Sequence, residues 1–93
     1  MNLSKEQLDA LQDFAYNLIP VSVMAIMMEV DELDLRAAID TVGTPERNAY
    51  YRGYGRMLLE LRKSIIRSAQ NGSNPAQTEL LQFLREFEND MQL

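Results

Sequence analysis

Apolar residues recur in this 93-residue chain at steps of three and four, the spacing that places side chains on one face of an α-helix. Near the N-terminus, Leu8, Leu11, Ala15 and Leu18 follow this spacing. They come directly after Ser4-Lys5-Glu6-Gln7, which has the residue types and spacing of a capping box. The pattern predicts a first helix that begins behind Ser4 and ends between Asn17 and Pro20.

Prolines, glycines and capping residues divide the rest of the chain into four further helical segments. Proline is favoured in the first turn of a helix, and Ser, Thr, Asn and Asp are favoured as N-caps. A C-capping glycine at Gly72 separates the last two segments. The predicted helices are a short second helix from Pro20 to about Met28, a third from the cap Asp31 to Asp40, a long fourth from Pro45, capped by Thr44, to about Gln70, and a fifth from the cap Asn74 with Gln77 at the capping-box position.

These segments predict an all-α, five-helix fold built as a single domain over residues 1–93. Residues 1–42 would form a helix-turn-helix-like unit, and residues 43–93 a long helix followed by a C-terminal helix. The fifth helix carries Leu80, Leu81, Leu84, Phe87 and Met91 on one side.

Composition excludes most catalytic chemistry. The chain has no cysteine and no histidine, so thiolate nucleophiles, zinc–thiolate sites and imidazole bases are absent. The expectation is a protein that is not an enzyme and that uses no metal and no cofactor. No apolar run approaches the roughly 20 residues of a membrane span, and no signal peptide is visible, so the predicted location is the cytoplasm without a membrane partner.

The second and third helices have the spacing of a helix-turn-helix when Ala25 takes the small-residue position of that motif. Glu29 then stands at the turn position that is often glycine. The third helix carries four acids and only one base, Arg36, which is adverse to a phosphate backbone. The alternative is a helical hairpin inside an all-α core. With the helix-turn-helix alignment the expected buried positions are Met24, Met28, Val30, Leu35 and Ala38.

Charge is distributed unevenly along the chain. Residues 1–46 have a net charge of −7, and residues 47–93 have a net charge of +2. Four bases of the fourth helix fall within about 60° of one another on a helical projection. Three interpretations of this stripe are open: a solvated helix face, a phosphate-binding surface, or a surface that binds the acidic half of a neighbouring subunit in a head-to-tail ring. The stripe consists of Arg52, Arg56, Lys63 and Arg67.

The opposite side of the fourth helix carries large apolar residues and is the expected core face. Gly53 and Gly55 lie within this helical pattern, where each costs roughly 1 kcal/mol relative to alanine. They indicate either close packing of another helix or subunit, or a kink. Tyr51 is expected near the edge of the core face and partly exposed. Met24, Met27 and Met28 are expected as core filler, with a peptide-binding groove as the alternative. The core face consists of Tyr50, Tyr54, Met57, Leu58, Leu61 and Ile65.

Across about residues 8–90 the chain resembles small helical proteins of phage and prophage origin that are related to the small subunit of phage terminases. In the first half the resemblance lies in Ala25, Val30 and Leu35. In the second half it lies in Ala49-Tyr50-Tyr51-Arg52-Gly53, in Glu60-Leu61-Arg62-Lys63, and in Ala69-x-x-Gly72-Ser73-x-Pro75-Ala76.

The resemblance implies a non-catalytic DNA-packaging adaptor that forms a homo-oligomer. It also implies that the protein binds double-stranded DNA and contacts a packaging ATPase/nuclease subunit. By that likeness Arg36 would touch DNA, although the acids around it are adverse. The other candidate DNA-binding or assembly residues are Arg47, Arg52, Arg56, Lys63 and Arg67. The alternative function is a protein-interaction or regulatory module of prophage origin that does not bind DNA directly.

Overall fold

The computed structural model describes residues 1–91, and that range contains five α-helices and no β-strand. The all-α, five-helix prediction is therefore confirmed, with three shorter helices followed by a long helix and a C-terminal helix. The helices are α1 Lys5–Tyr16, α2 Val21–Met28, α3 Glu32–Asp40, α4 Pro45–Gln70 and α5 Asn74–Met91.

Three of the helix starts are capped by the predicted residues. The Gln7 backbone N–H donates to Ser4 Oγ at 3.1 Å, and the Ser4 N–H donates to Gln7 Oε1 at 2.9 Å, which completes the capping box of α1. Asp31 Oδ1 accepts from the Asp34 N–H at 2.9 Å. Thr44 Oγ1 accepts from the Arg47 N–H at 3.0 Å. Each cap satisfies a backbone donor that the first turn of a helix leaves without a partner.

The starts of α2 and α5 differ by one residue from the prediction. Pro20 is extended and serves as the N-cap of α2, so the helix begins at Val21. Asn74 is itself the first residue of α5, and Ser73 Oγ accepts from the Ala76 N–H at 3.4 Å in the capping position. Gln77 does not close a capping box. Its Nε2 donates to the Ala69 carbonyl oxygen at 3.1 Å, because the end of α4 lies within reach.

Two helices end in a left-handed residue that is not glycine. Leu18 has φ 60° after α1, and Glu29 has φ 57° at the end of α2. In both turns a later N–H reaches back to close the helix end: Ile19 donates to the Phe14 oxygen and Val30 to the Ala25 oxygen, each at 3.0 Å. Glycine is the residue that adopts this conformation at least cost.

The chain divides into two compact units, Met1–Leu58 and Leu59–Leu93. The predicted single domain with a division at residue 42 stays a prediction. The first unit has a core of α1, α2, α3 and the start of α4, centred on Leu11, Met24 and Leu35, all fully enclosed at 0% exposure. Of the other positions expected from the helix-turn-helix spacing, Met28, Val30 and Ala38 are half-buried.

Gly53 lies against the backbone of α1. A Cβ atom at this position would collide with the Gln12 carbonyl oxygen and lie 3.1 Å from the Tyr16 backbone nitrogen. Gly55 has no such neighbour, because nothing lies within 4 Å of a Cβ built there. The close-packing interpretation is therefore confirmed for Gly53, and the helix it accommodates is α1 of the same chain.

The buried face of α4 in the first unit differs from the predicted one. Ala49 and Gly53 are buried there, whereas Tyr54 is exposed. Small residues form this face because α1 rests directly on the α4 backbone. In the second unit Leu61 is also exposed, so its assignment to the core was wrong as well. The remaining predicted core residues, Tyr50, Met57, Leu58 and Ile65, are half-buried.

The second unit is a hairpin of the last part of α4 and α5. Its two described buried residues, Ala69 and Ala76, flank the Asn71–Ser73 turn. Farther along, Arg62 Nη2 donates to Glu86 Oε2 at 2.8 Å, and the Arg62 guanidinium lies 4.1 Å above the centre of the Phe83 ring. Small residues therefore hold the turn end of the hairpin together, and a charged pair with an aromatic contact holds the middle.

Candidate interaction site

The outer face of α2 is apolar and open to solvent. The whole helix, VSVMAIMM, contains no charged residue. Met24 and Ala25 point into the core, while Val23, Ile26 and Met27 are exposed on the other side, Ile26 by 78%. Met27 was expected as core filler; it is exposed because the core of the first unit covers only one side of α2. We call Val23, Ile26 and Met27 the α2 outer face.

Helix α3 presents acids and one large apolar residue instead of a basic reading surface. Leu33 is 76% exposed in its first turn, between the exposed acids Asp31 and Asp34. The only base, Arg36, donates from Nε to Glu32 Oε2 at 2.9 Å on the same helix. The arrangement therefore gives a negatively charged surface with an apolar contact, and its one cation is already paired.

Arg47 performs a structural task in the first unit. Its Nη1 donates to the Ile39 carbonyl oxygen at 3.0 Å, which satisfies an acceptor at the C-terminal end of α3. Its guanidinium also lies 4.8 Å from the centre of the Tyr51 ring. The hydrogen bond holds the half-buried Arg47 side chain against the end of α3, and both contacts engage the guanidinium that was a candidate for phosphate binding.

The three tyrosines of α4 stack against one another. The Tyr50 and Tyr54 rings are parallel at 6.3 Å, and Tyr51 meets Tyr50 edge-on at 5.1 Å. Tyr51 is exposed, as predicted. Burial, together with the neighbouring tyrosines, raises the pKa of Tyr50, and nearby Arg36 opposes that shift. Because the fold disfavours the ionised form of Tyr50, stability should fall as the pH rises into the alkaline range where tyrosine ionises.

The four cations of the predicted stripe are all exposed on α4. Arg52 and Arg56 belong to the first unit, and Lys63 and Arg67 belong to the second. Arg56 lines a cleft of about 340 Å³ together with Asp9 and Asp13 of α1. The first-unit part of the stripe therefore has carboxylates beside it, a feature that the helical projection of α4 alone did not include.

Sequence reasoning missed one buried charge. Glu46 is only 3% exposed in the first turn of α4. A carboxylate at this place is favoured by the partial positive charge of a helix N-terminus. The signal was visible in the sequence, since Glu46 directly follows the proline that opens the helix.

Across residues 1–91, no group of three or more acidic side chains is arranged to hold a metal ion. No helix in this range is both long enough and apolar enough to cross a membrane. No protein-family model, curated protein or solved structure matches this chain. The resemblance to terminase small subunits therefore stays a prediction, and the surfaces described above are the basis for a functional proposal.

Proposed function

We propose that this protein is a non-catalytic adaptor that binds a protein partner through the α2 outer face. The observation that carries this proposal is the apolar character of α2 on all sides, combined with burial on one side only. A helix that is apolar all round is normally enclosed by protein. In the first unit Ile26 has no covering element, so the face fits a partner that encloses it.

Two neighbouring features support a protein partner. Leu18 is held in a left-handed conformation that favours glycine, yet it carries a large exposed apolar side chain. Backbone strain of this kind is concentrated at functional positions. On α3, Leu33 is exposed between acids, so a partner with apolar side chains bordered by lysine or arginine would complement this unit. Duplex DNA would be repelled by the same acids.

Site-specific photo-cross-linking tests the proposal in cells that produce the protein. A photoreactive residue is placed at Ile26 and, in a control chain, at Glu6 on the exposed face of α1. We expect a single protein adduct from position 26 that is absent from position 6. The adduct partner, once purified, should lose at least about tenfold in affinity for the Ile26→Asp variant. Equal cross-linking from both positions, or unchanged affinity, would contradict the proposal.

The second candidate is a phage-type packaging adaptor that binds double-stranded DNA. It would act in the cytoplasm as a homo-oligomer, together with a packaging ATPase/nuclease subunit. It is supported by the exposure of Arg52, Lys63 and Arg67 on α4, which are available to a phosphate backbone. Multiple copies of the stripe in an oligomer would strengthen contacts that are weak in one chain.

Fluorescence anisotropy with a labelled duplex distinguishes the two candidates. For DNA binding, affinity should fall steeply between low and high salt, because each phosphate contact releases counterions. Replacing Arg52 and Lys63 by glutamate should abolish that binding, whereas Ile26→Asp should leave it unchanged. An absence of binding at low salt would remove this candidate and leave the protein-binding adaptor.

A further inference from the structure

The hairpin of the second unit has an apolar surface that its own two helices do not cover. On α5, Leu84, Phe87 and Met91 fall within about 60° of one another on a helical projection, with Leu81 about 60° farther round. All four are exposed, and so is Leu59 on α4. The exposed fractions run from 47% for Leu59 to 72% for Met91.

Ala69 and Ala76 are the buried contact between the two antiparallel helices, so side-chain directions on each helix can be measured from them. Leu59 on α4 and Leu84 on α5 each lie about 80° from these alanines in the same sense of rotation, and in an antiparallel pair equal rotations from the contact lead to the same side. Glu86, the partner of Arg62, lies about 80° the other way and marks the opposite side. We call the surface on the side of Leu59 and Leu84 the hairpin face. It consists of Leu59, Leu81, Leu84, Phe87 and Met91.

The hairpin face is of the size that a stable dimer requires. With about 190 Å² for a fully exposed large apolar side chain, its five residues leave roughly 550 Å² open to water in each chain. A standard interface takes about 800 Å² from each partner, of which somewhat more than half is apolar. The hairpin face alone therefore supplies roughly the apolar area of such an interface.

Charge makes the hairpin complementary to itself. The α4 segment 59–70 carries Arg62, Lys63 and Arg67 against Glu60, a net charge of +2. Helix α5 carries Arg85 against four acids, a net charge of −3. When two hairpins pair about a two-fold axis, α4 of each copy lies beside α5 of the other, and the attraction acts twice.

We propose that the occupant of the hairpin face is the hairpin of a second copy of this chain. The two hairpins form a four-helix bundle that encloses Leu59, Leu81, Leu84, Phe87 and Met91. This arrangement closes at two subunits, in contrast to the head-to-tail ring that the charge difference between the two halves of the sequence suggests. It uses the second unit only, so it goes beyond the adaptor function proposed for the α2 outer face.

Sedimentation equilibrium of the full chain over a wide concentration range tests the dimer. We expect twice the 10.7 kDa chain mass. Phe87→Glu should raise the dimer dissociation constant at least about 30-fold, because it places a charge at the centre of the interface. Ile26→Glu is the matched control, since it puts the same charge on an exposed apolar position of the first unit and should leave the mass unchanged. Circular dichroism verifies that both variants keep their helices.

A second measurement does not depend on any variant. In a mixture of isotope-labelled and unlabelled chains, nuclear Overhauser effects between copies should connect the Phe87 ring with methyl groups of Leu59 and Leu84. A monomer at all concentrations would overturn the proposal. It would equally be overturned by an oligomer that Ile26→Glu dissociates and Phe87→Glu does not, or by contacts between copies that involve only the first unit.

Discussion

The two units of this chain use the same helix-forming sequence patterns but reach very different degrees of burial. In the first unit Leu11, Met24 and Leu35 are completely enclosed. Among the described residues of the second unit, only Ala69 and Ala76 are buried. The helices themselves are equally regular, and α5 is longer than α1, α2 or α3.

The difference follows from the number of helices around each apolar side chain. In the first unit, four helical segments surround a common centre, so a leucine on α3 has neighbours in several directions. In the second unit, each helix has a single neighbour, and most of its apolar stripe faces water. Amphipathic periodicity thus specifies a helix, whereas burial depends on how many partners that helix finds.

The largest expected effect on stability comes from comparing a leucine-to-alanine substitution in the first unit with one in the second unit. Leu35→Ala removes a fully enclosed side chain and should lower the free energy of unfolding by about 3 kcal/mol. Leu84→Ala removes an exposed one, so in a dilute sample of single chains it should change stability by less than about 0.5 kcal/mol. Urea denaturation followed by circular dichroism measures both. Equal losses would show that the second unit has a core as tight as that of the first.

The two glycines of α4 provide a sharper comparison within the first unit. Gly53→Ala forces the new methyl group against the Gln12 carbonyl and should cost about 2 kcal/mol. Gly55→Ala meets open space and should instead add up to about 1 kcal/mol through its better helix propensity. Thermal unfolding of the two variants and of the parent chain measures the expected loss of stability at position 53 and the expected gain at position 55. A stabilised Gly53→Ala variant would mean that α1 does not rest on α4 at this point.

Removing a helix N-cap should lower stability by a different, smaller amount in each unit. Asp31→Ala removes a hydrogen bond of 2.9 Å at the start of α3 and should cost about 1 kcal/mol. Ser73→Ala removes a longer contact of 3.4 Å at the start of α5, and we expect about half that loss. Chemical denaturation of the two alanine variants gives the difference. A larger loss at Ser73 would contradict the assigned geometry of the α5 cap.

The smallest expected effect concerns the ion pair that links α4 to α5. A double-mutant cycle with Arg62→Gln and Glu86→Gln should give a coupling energy below about 1 kcal/mol, since both side chains are partly exposed. The same cycle on Arg36 and Glu32 within α3 provides the reference and should give about 0.3–0.5 kcal/mol. Both values should decrease at high salt. A coupling of several kcal/mol at Arg62 would indicate a buried, rigid pair instead.

Local sequence signals were sufficient for the helices, because capping and periodicity act within a few residues of the chain. Ser4, Asp31 and Thr44 cap the helices that they were expected to cap. The same signals did not predict which apolar residues would be buried. Tyr54 was assigned to the core by size and spacing, but α1 needs small residues to approach α4 in the first unit. Leu61 was assigned in the same way, but its part of α4 has only α5 beside it in the second unit. The exposure of Ile26 depends on how many helices surround α2, and periodicity does not report that number.

Contact between α1 and α4 at Gly53 determines how this protein can diverge during evolution. Among related sequences, position 53 should remain glycine, while position 55 accepts alanine and other good helix formers. Gln12 and Tyr16 touch Gly53 through backbone atoms, so this contact does not restrict their side chains. A distant relative should therefore share the glycine at position 53, even where the side chains around this contact differ. That glycine would identify a relative better than a shared run of large apolar residues.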